Sequence, residues 1–533
     1  MTNADASPRL TRRADLVAGL AEDRQWDVAI IGGGATGLGV ALDAALRGFS
    51  VVLIESHDFA SGTSSRATKL VHGGVRYLAQ GNLPLVREAL HERAHLLHNA
   101  PHLAQPLAFV MPAYRWWEAP FYGIGLKMYD VLAGQDGLGS TEFLGRQQTL
   151  QCLPGVQARG LLGGVKYWDG QFDDARVALA LARTAAAQGA LLVNHCAATA
   201  LIHEAGRVAG VVCEDHETGQ AYPLRARCVI NATGVWVDVL RQKDGEATGR
   251  PARPMVAPSQ GVHLVVDREF LPGDHALLVP KTADGRVLFA VPWLGKLILG
   301  TTDTPRHDLA REPRPFADEV AFILSESARY LNRAPTRGDV RSCWVGLRPL
   351  VKPPQDGEDD TKGLSREHTV LVSRSGLVTV TGGKWTTYRA MAEDVLKKCM
   401  DETLLPSRSG GASTHLFLVG AQGQRGAARP LSAVPGLSAY GNEAGAVSGL
   451  PGAQRPLGGG LTEAMVRFAV RHEYARTVED VLARRSRLLF LDARLAGEMA
   501  SEVGAIVGEE TGRDPEIAAF EVLARKYLEL PVQ

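Results

Sequence analysis

The chain has 533 residues, of which 45% are hydrophobic and 22% charged, and its mean hydropathy is −0.05. Lys+Arg and Asp+Glu balance at 58 each, so no global field draws nucleic acid or an acidic surface, and an anionic ligand needs a local cluster of basic side chains. The length exceeds what one hydrophobic core fills, which predicts two or three domains, and no apolar run is long enough to cross a membrane.

The N-terminal stretch MTNADASPRLTRRADL is polar and has no apolar core region, so neither a secretory signal nor an anchor is expected. The six cysteines form no CxxC pair and read as free thiols in a reducing compartment. No metal site is expected.

In chain order, residues 28–31 are a β-branched apolar run suited to a buried parallel strand. Gly32, Gly34 and Gly37 then spell GxGxxG, an Ala/Leu-rich stretch follows to Gly48, and residues 51–54 make a second buried strand ending at Glu55. This unit of about 30 residues is a dinucleotide-binding pattern. Gly32 permits the tight turn, Gly34 lets the backbone approach a pyrophosphate, and Gly37 lets helix and strand pack closely. The helix N-terminus turns free N–H groups and a positive dipole end toward the phosphates. Glu55 is placed to accept hydrogen bonds from a ribose diol. The unit alone does not distinguish NAD from FAD.

A helical period resumes from Pro84 to Asn99 and again over 174–188, where Asp173 and Asp174 are placed to cap the N-terminus. Residues 191–215 alternate as a hairpin or meander turning near Gly206, and 227–236 read as a buried strand running into a turn. Residues 255–381 are rich in strands, interrupted by one helix around 316–332. The Gly-, Ser-, Pro- and Ala-rich stretch 405–460 reads as a loosely ordered linker, and helical spacing returns from Thr462.

Three features favour FAD. The glycine motif lies near the N-terminus; NATGVW (231–236) carries Thr233, Gly234 and Trp236 in a turn after a strand; and TGGKWTTYRAMAED (381–394) sets a Gly382–Gly383 turn before a helix, with backbone N–H groups aimed at a flavin's electron-rich end. Across IGGGATGLGVALDAALRG, SGTSSRATKLVHGGVRYL, YWDGQFDDAR, NATGVWVD, ILGTTDTP, GLRPLV and TGGKWTTYRAMAED, the chain resembles the FAD-dependent glycerol-3-phosphate dehydrogenases, the quinone-linked respiratory enzymes of bacteria and mitochondria. LTEAMVRFAVRHEYARTVEDVLARRSRL (461–488) is similar to that family's C-terminal helical domain.

The resemblance implies an α/β fold. A Rossmann-type FAD-binding domain from 20–110, 165–240 and 345–400 is interleaved with a β-sheet substrate (cap) domain from 111–164 and 241–344. A linker (401–460) and a C-terminal α-helical domain (461–533) follow. It also implies FAD as cofactor and sn-glycerol 3-phosphate as substrate, oxidised to dihydroxyacetone phosphate as a hydride leaves C2 for the flavin and a base removes the hydroxyl proton.

A dianionic phosphate is held best by bidentate, charge-assisted cations. The family's anion-binding positions fall on Arg348, Arg366 and Arg76, with Tyr77 reaching the phosphoester and Lys384 close to the flavin. His263 in SQGVHLVV takes the position of the base, a role that suits imidazole; His72 competes, although the resemblance sets it beside the isoalloxazine. Ser64, Ser65 and Lys69 run along the FAD, and His72–Gly73–Gly74 passes the ring, where a side chain on Gly73 would collide with it. Gly383 joins the cofactor set, and Thr301 and Asp303 orient a ligand or simply form a turn.

The family's electron acceptor is a membrane quinone. Residues 114–134 mix Trp116, Trp117, Phe121 and Tyr122 with Arg115 and Lys127, and read equally as an interfacial docking segment or a buried aromatic cluster. The expectation is a cytoplasmic protein, peripheral on the inner face of the cell membrane in the docking reading, with no nucleic-acid partner and a homodimer formed through the C-terminal helices. The alternatives are an oxidase that uses oxygen and a non-catalytic flavin-binding protein. The absence of an EF-hand pattern predicts no calcium regulation.

Overall fold

The computed structural model describes residues 8–74, 82–282, 285–352, 368–421 and 429–532. Among these, strands gather into an eight-stranded and a ten-stranded sheet, with a small two-stranded ribbon. In the first sheet, Gln25–Ile31 pairs in parallel with Val51–Ile54 on one side and Ala221–Asn231 on the other, and Leu191–Val193 extends the parallel set. Alternation explains the uninterrupted apolar runs. Val28, Ile30, Val51 and Leu53 face helices Ala35–Leu46, Asp174–Ala187 and Tyr388–Asp401, while Ala29, Ile31, Val52 and Ile54 face the hairpin Cys196–Glu204 and Arg207–Asp215. Asp173 caps helix Asp174–Ala187 as expected, accepting from Arg176 N at 3.3 Å.

The second sheet is built from long antiparallel pairs. Ala104–Ala113 lies against Gly163–Phe172 along its whole length, and Val256–Asp267 pairs with Ser342–Val351. Helices Glu463–His472, Ala493–Glu498, Ala500–Thr511 and Ile517–Leu528 share one hydrophobic core with this sheet, running from Phe109, Trp293 and Trp344 to Phe468, Phe490 and Tyr527. Arg484 and Arg485 reach across to grip the buried carboxylate of Asp58, which ties the helical region to the dinucleotide sheet.

Sheet membership shifts the expected boundaries. Leu70–Val71, Ala104–Ala113, Gly163–Phe172 and Ser342–Val351 all belong to the second sheet, so FAD-side structure resumes after Phe172 and again at His368. A strand's own pattern does not say which sheet it joins.

The stretch 401–460, expected as a loose linker, is anchored in the cores at several points among its described residues. Leu404, Leu405 and Leu418 enter the core beneath the dinucleotide sheet, and Leu431, Tyr440 and Val447 enter the core of the helical region. Some of its glycines serve close approach: a Cβ on Gly441 would strike the carbonyl of Gly420. Helix Glu118–Ala133 combines both readings of the aromatic segment. Leu126, Tyr129 and Ala133 are buried, whereas Phe121, Ile124, Met128 and Val131, with the preceding Trp116, are exposed.

Candidate active site

Two cavities meet between the sheets. The first, about 470 Å³, opens over the ends of the parallel strands. Gly32 turns out of strand Gln25–Ile31 at φ +111°, where a Cβ would lie 2.6 Å from the carbonyl of Ala232. Gly37 lies off the cavity wall, where a Cβ would overlap Gly32 O, so it packs helix against strand as anticipated. Gly34 precedes helix Ala35–Leu46, and Ser64 Oγ accepts from Ala35 N at 2.9 Å.

Glu55 closes the second strand. Its Oε1 accepts from His57 N at 2.9 Å and Ser56 Oγ at 3.1 Å, and its Oε2 accepts from Gly33 N at 2.7 Å and keeps a second lone pair for a ribose hydroxyl. Thr233, Gly234, Trp236, Gly383 and Lys384 complete the opposite wall. A backbone cradle with no Cβ, a helix N-terminus and an acid at the far strand end together fit the two phosphates and ribose of a dinucleotide.

The second cavity, about 670 Å³, shares Thr63, Pro349, Gly383, Lys384 and Trp385 with the first. Arg348, on strand Ser342–Val351, donates to Asp303 Oδ1 at 3.3 Å, Thr301 Oγ1 at 3.2 Å and Thr302 O at 3.0 Å. Gly261, on the neighbouring strand Val256–Asp267, leaves room for this side chain, since a Cβ there would overlap the guanidinium.

His263 lies two residues along the same strand and so on the same face. It is 2% exposed, stacks on Trp344 with centroids 4.0 Å apart, and bonds Thr68 Oγ1 through Nε2 at 2.9 Å. Burial first, and the Lys69 and Arg348 cations second, hold its pKa well below the usual histidine range, so the ring is neutral. His72 and Gly74 line the same cavity. Its far side is apolar, built from Phe109, Met111, Leu126 and Phe289 and reaching Phe121 and Met128 of helix Glu118–Ala133.

Three expected cofactor contacts are corrected. Lys69 is completely buried: its Nζ donates to Asp174 Oδ2 at 2.7 Å and Ser65 O at 2.6 Å and sits 4.6 Å from the Trp344 ring centre. Burial draws its pKa down to about 7 against the pull of Asp174, and the side chain belongs to the core where sheet and helices meet. Ser65 is turned inward by the short helical turn Thr63–Ser65, its hydroxyl aimed at Gly62 O, and it lines neither cavity.

Gly73 also lies off both walls. Its N–H donates to Tyr129 Oη at 2.8 Å, and a Cβ would lie 2.5 Å from that oxygen and 2.6 Å from Leu90 Cδ2. The constraint there is helix packing, so a bulky replacement disturbs folding before flavin retention. Arg76, Tyr77 and Arg366 lie outside the described residues.

Sequence reasoning passes over Thr68, Gly261 and Arg286, all on the second cavity. The alternation in SQGVHL carries a signal for Gly261, placing it on the face of His263; Thr68 and Arg286 leave none.

A family described as "FAD dependent oxidoreductase" matches residues 27–389, and one described as "C-terminal domain of alpha-glycerophosphate oxidase" matches residues 414–517. The mitochondrial glycerol-3-phosphate dehydrogenase of Homo sapiens is 40% identical over 540 residues, covering 95% of this chain and 73% of the relative. A solved glycerol-3-phosphate dehydrogenase from Bacillus halodurans, complexed with FAD, is 29% identical, superposes with a TM-score of 0.76 and covers 98% of each chain. This chain belongs to the FAD-dependent glycerol-3-phosphate dehydrogenase family.

Its cofactor is FAD, and its fold is the expected α/β arrangement with a C-terminal helical domain. The second family match begins at residue 414, inside the supposed linker, in keeping with the packing found there. An L-α-glycerophosphate oxidase from Mycoplasma pneumoniae, 16% identical with a TM-score of 0.56 and covering 74% of this chain and 99% of its own, shares the fold.

Proposed function

We propose that the protein oxidises the secondary alcohol of sn-glycerol 3-phosphate to dihydroxyacetone phosphate and passes the electrons to a membrane quinone. The observation that carries this reading is the wall of Gly383, Lys384, Trp385 and Pro349 common to both cavities. It sets a chamber holding Arg348 and His263 directly against the dinucleotide cradle. Bound FAD supplies the two-electron acceptor for the hydride that leaves C2.

The chain's own residues do the rest. Arg348 is braced by Thr301, Thr302 and Asp303 and offers a planar, permanently charged donor to the phosphate, with Lys384 adding charge at the shared wall. His263 is neutral and presents Nε2 on the edge facing Thr68 and the cavity. A weakly basic imidazole suffices, because the hydroxyl proton becomes strongly acidic as hydride departs from the carbon beneath it. The apolar far wall excludes water from that transfer.

The quinone and membrane parts of the reading rest on helix Glu118–Ala133. Tyr122, Gly125 and Leu126 line the chamber, the exposed Phe121 and Met128 reach its rim, and Ile124 and Val131 are exposed beyond it, with Trp116 at 80% exposure. An aromatic and apolar outer face suits the headgroup level of a bilayer, which supports a chamber mouth that opens beside lipid. No helix among the described residues is long and apolar enough to cross a membrane.

The test is anaerobic addition of glycerol 3-phosphate to the FAD-loaded protein. The yellow flavin absorption should bleach and return on adding a soluble quinone. No bleaching would overturn the reading, and peroxide formed in step with product in air would make oxygen the acceptor.

A further inference from the structure

Stacking on Trp344 fixes the plane of the His263 ring, yet a half-turn about the Cβ–Cγ bond keeps that plane and exchanges nitrogen edges for carbon edges. In the observed orientation Cδ2 packs toward Gly300, where a Cβ would lie 2.9 Å away. Nδ1 is buried and finds no hydrogen-bond partner among the described residues. The bond between Nε2 and Thr68 Oγ1, at 2.9 Å, is therefore the interaction that tells the two ring orientations apart.

Thr68 is itself well held. The next residue, Lys69, sits at φ +66° and is pinned by Asp174 and Ser65 O, so the backbone that presents Thr68 to the cavity is anchored in the core. A non-glycine residue in this conformation persists where its surroundings over-determine it.

We propose that Thr68 is a positioning residue for the oxidation, its hydroxyl selecting the ring orientation that points Nε2 of His263 into the substrate chamber. A hydroxyl is suited to this because it both donates and accepts. With the chamber empty it donates to the Nε2 lone pair; a bound substrate's C2 hydroxyl takes over that lone pair while the Thr68 oxygen stays beside the ring edge, and once the C2 hydroxyl proton has moved to Nε2 the same oxygen can accept from the new N–H. The same side chain thus meets both protonation states by turning only its hydroxyl proton. The inference rests on His263 as the base.

The experiment compares Thr68→Val, Thr68→Ser and His263→Gln in the full-length, FAD-loaded protein, reading flavin content, the anaerobic rate of flavin bleaching at saturating glycerol 3-phosphate, and the substrate concentration at half that rate. Thr68→Val keeps the shape and loses the hydroxyl. It should slow bleaching about tenfold to a hundredfold, within the range for a misplaced acid–base group, with the half-saturating concentration within about threefold of wild type. Thr68→Ser should recover the rate to within about threefold.

A Val variant as fast as wild type, or a Ser variant that fails to recover, overturns the proposal. Should Val lower flavin content, Thr68→Ala paired with Ser makes the same comparison. A His263→Gln variant at full rate would overturn the base assignment itself, whereas a slow His263→Gln beside a fast Thr68→Val would overturn Thr68 alone.

Discussion

The two cavities are built on opposite principles. The dinucleotide cavity is made largely of backbone: Gly32 and Gly34 at a strand end, a helix N-terminus, and one acid, Glu55, supplied by the adjacent strand. The substrate chamber is made of side chains brought from distant parts of the chain, with Thr68, His263, Arg348 and Lys384 meeting only after both sheets have formed. A backbone cradle is set by local geometry and tolerates change around it. A side-chain chamber depends on each bracing contact.

Arg348 gives the largest expected contrast. Arg348→Ala should lower kcat/KM for glycerol 3-phosphate about a hundredfold or more, mainly through KM, since one partner of a charge pair is lost, while flavin content stays at the wild-type level. Equal loss of flavin would mean that the cavities are not separable. Lys69→Met comes next: leaving the buried Asp174 short of its partner should cost about 3 kcal/mol of stability, seen as a lower unfolding midpoint, with flavin still bound by the folded fraction. Flavin loss at an unchanged midpoint would return Lys69 to the cofactor site.

The smallest effect is acid sensitivity, with one contributing histidine on the dinucleotide wall and one away from both cavities. Burial, then Arg311, lowers the pKa of His57 on the dinucleotide wall to about 4, and burial, then Arg176, lowers that of His102 to about 3. Each binds its proton in the unfolded chain near pH 6.5 and in the folded protein only well below that, so the stability they confer is complete above pH 6.5 and is lost progressively as pH falls toward 4 and 3. The unfolding midpoint should accordingly drop between pH 7 and pH 4.5; a flat profile would show that neither ring is held neutral.

The same contrast separates what is legible in the amino-acid sequence from what is not. Gly32, Gly34, Gly37 and Glu55 lie within one strand–turn–helix–strand unit, and their spacing encodes their geometry. Arg348 and His263 are legible only through resemblance, because their meeting depends on the register that sets Ser259 against Arg348 and His263 against Trp344. Lys69 and Gly73 mislead for a related reason. Both sit one residue from true cavity-lining positions, Lys69 in a left-handed bend and Gly73 just past strand Leu70–Val71, and one residue's shift there turns the chain away from the cavity. Residues 401–460 mislead because small residues chosen for close packing resemble those chosen for flexibility.

One further consequence follows from the core shared by the ten-stranded sheet and the C-terminal helices. Phe490 packs on Trp344, the ring on which His263 rests, and Arg487 donates both to Asp174, the partner of Lys69, and to Ser65 O. The helical region thus supports the chamber from behind, through Trp344 and Asp174, without lining it. The oxidoreductase portion, cut free of it, would lose both the surface behind His263 and the arginines that neutralise the buried Asp58, so the two cavities lean on one support that the order of the domains does not reveal.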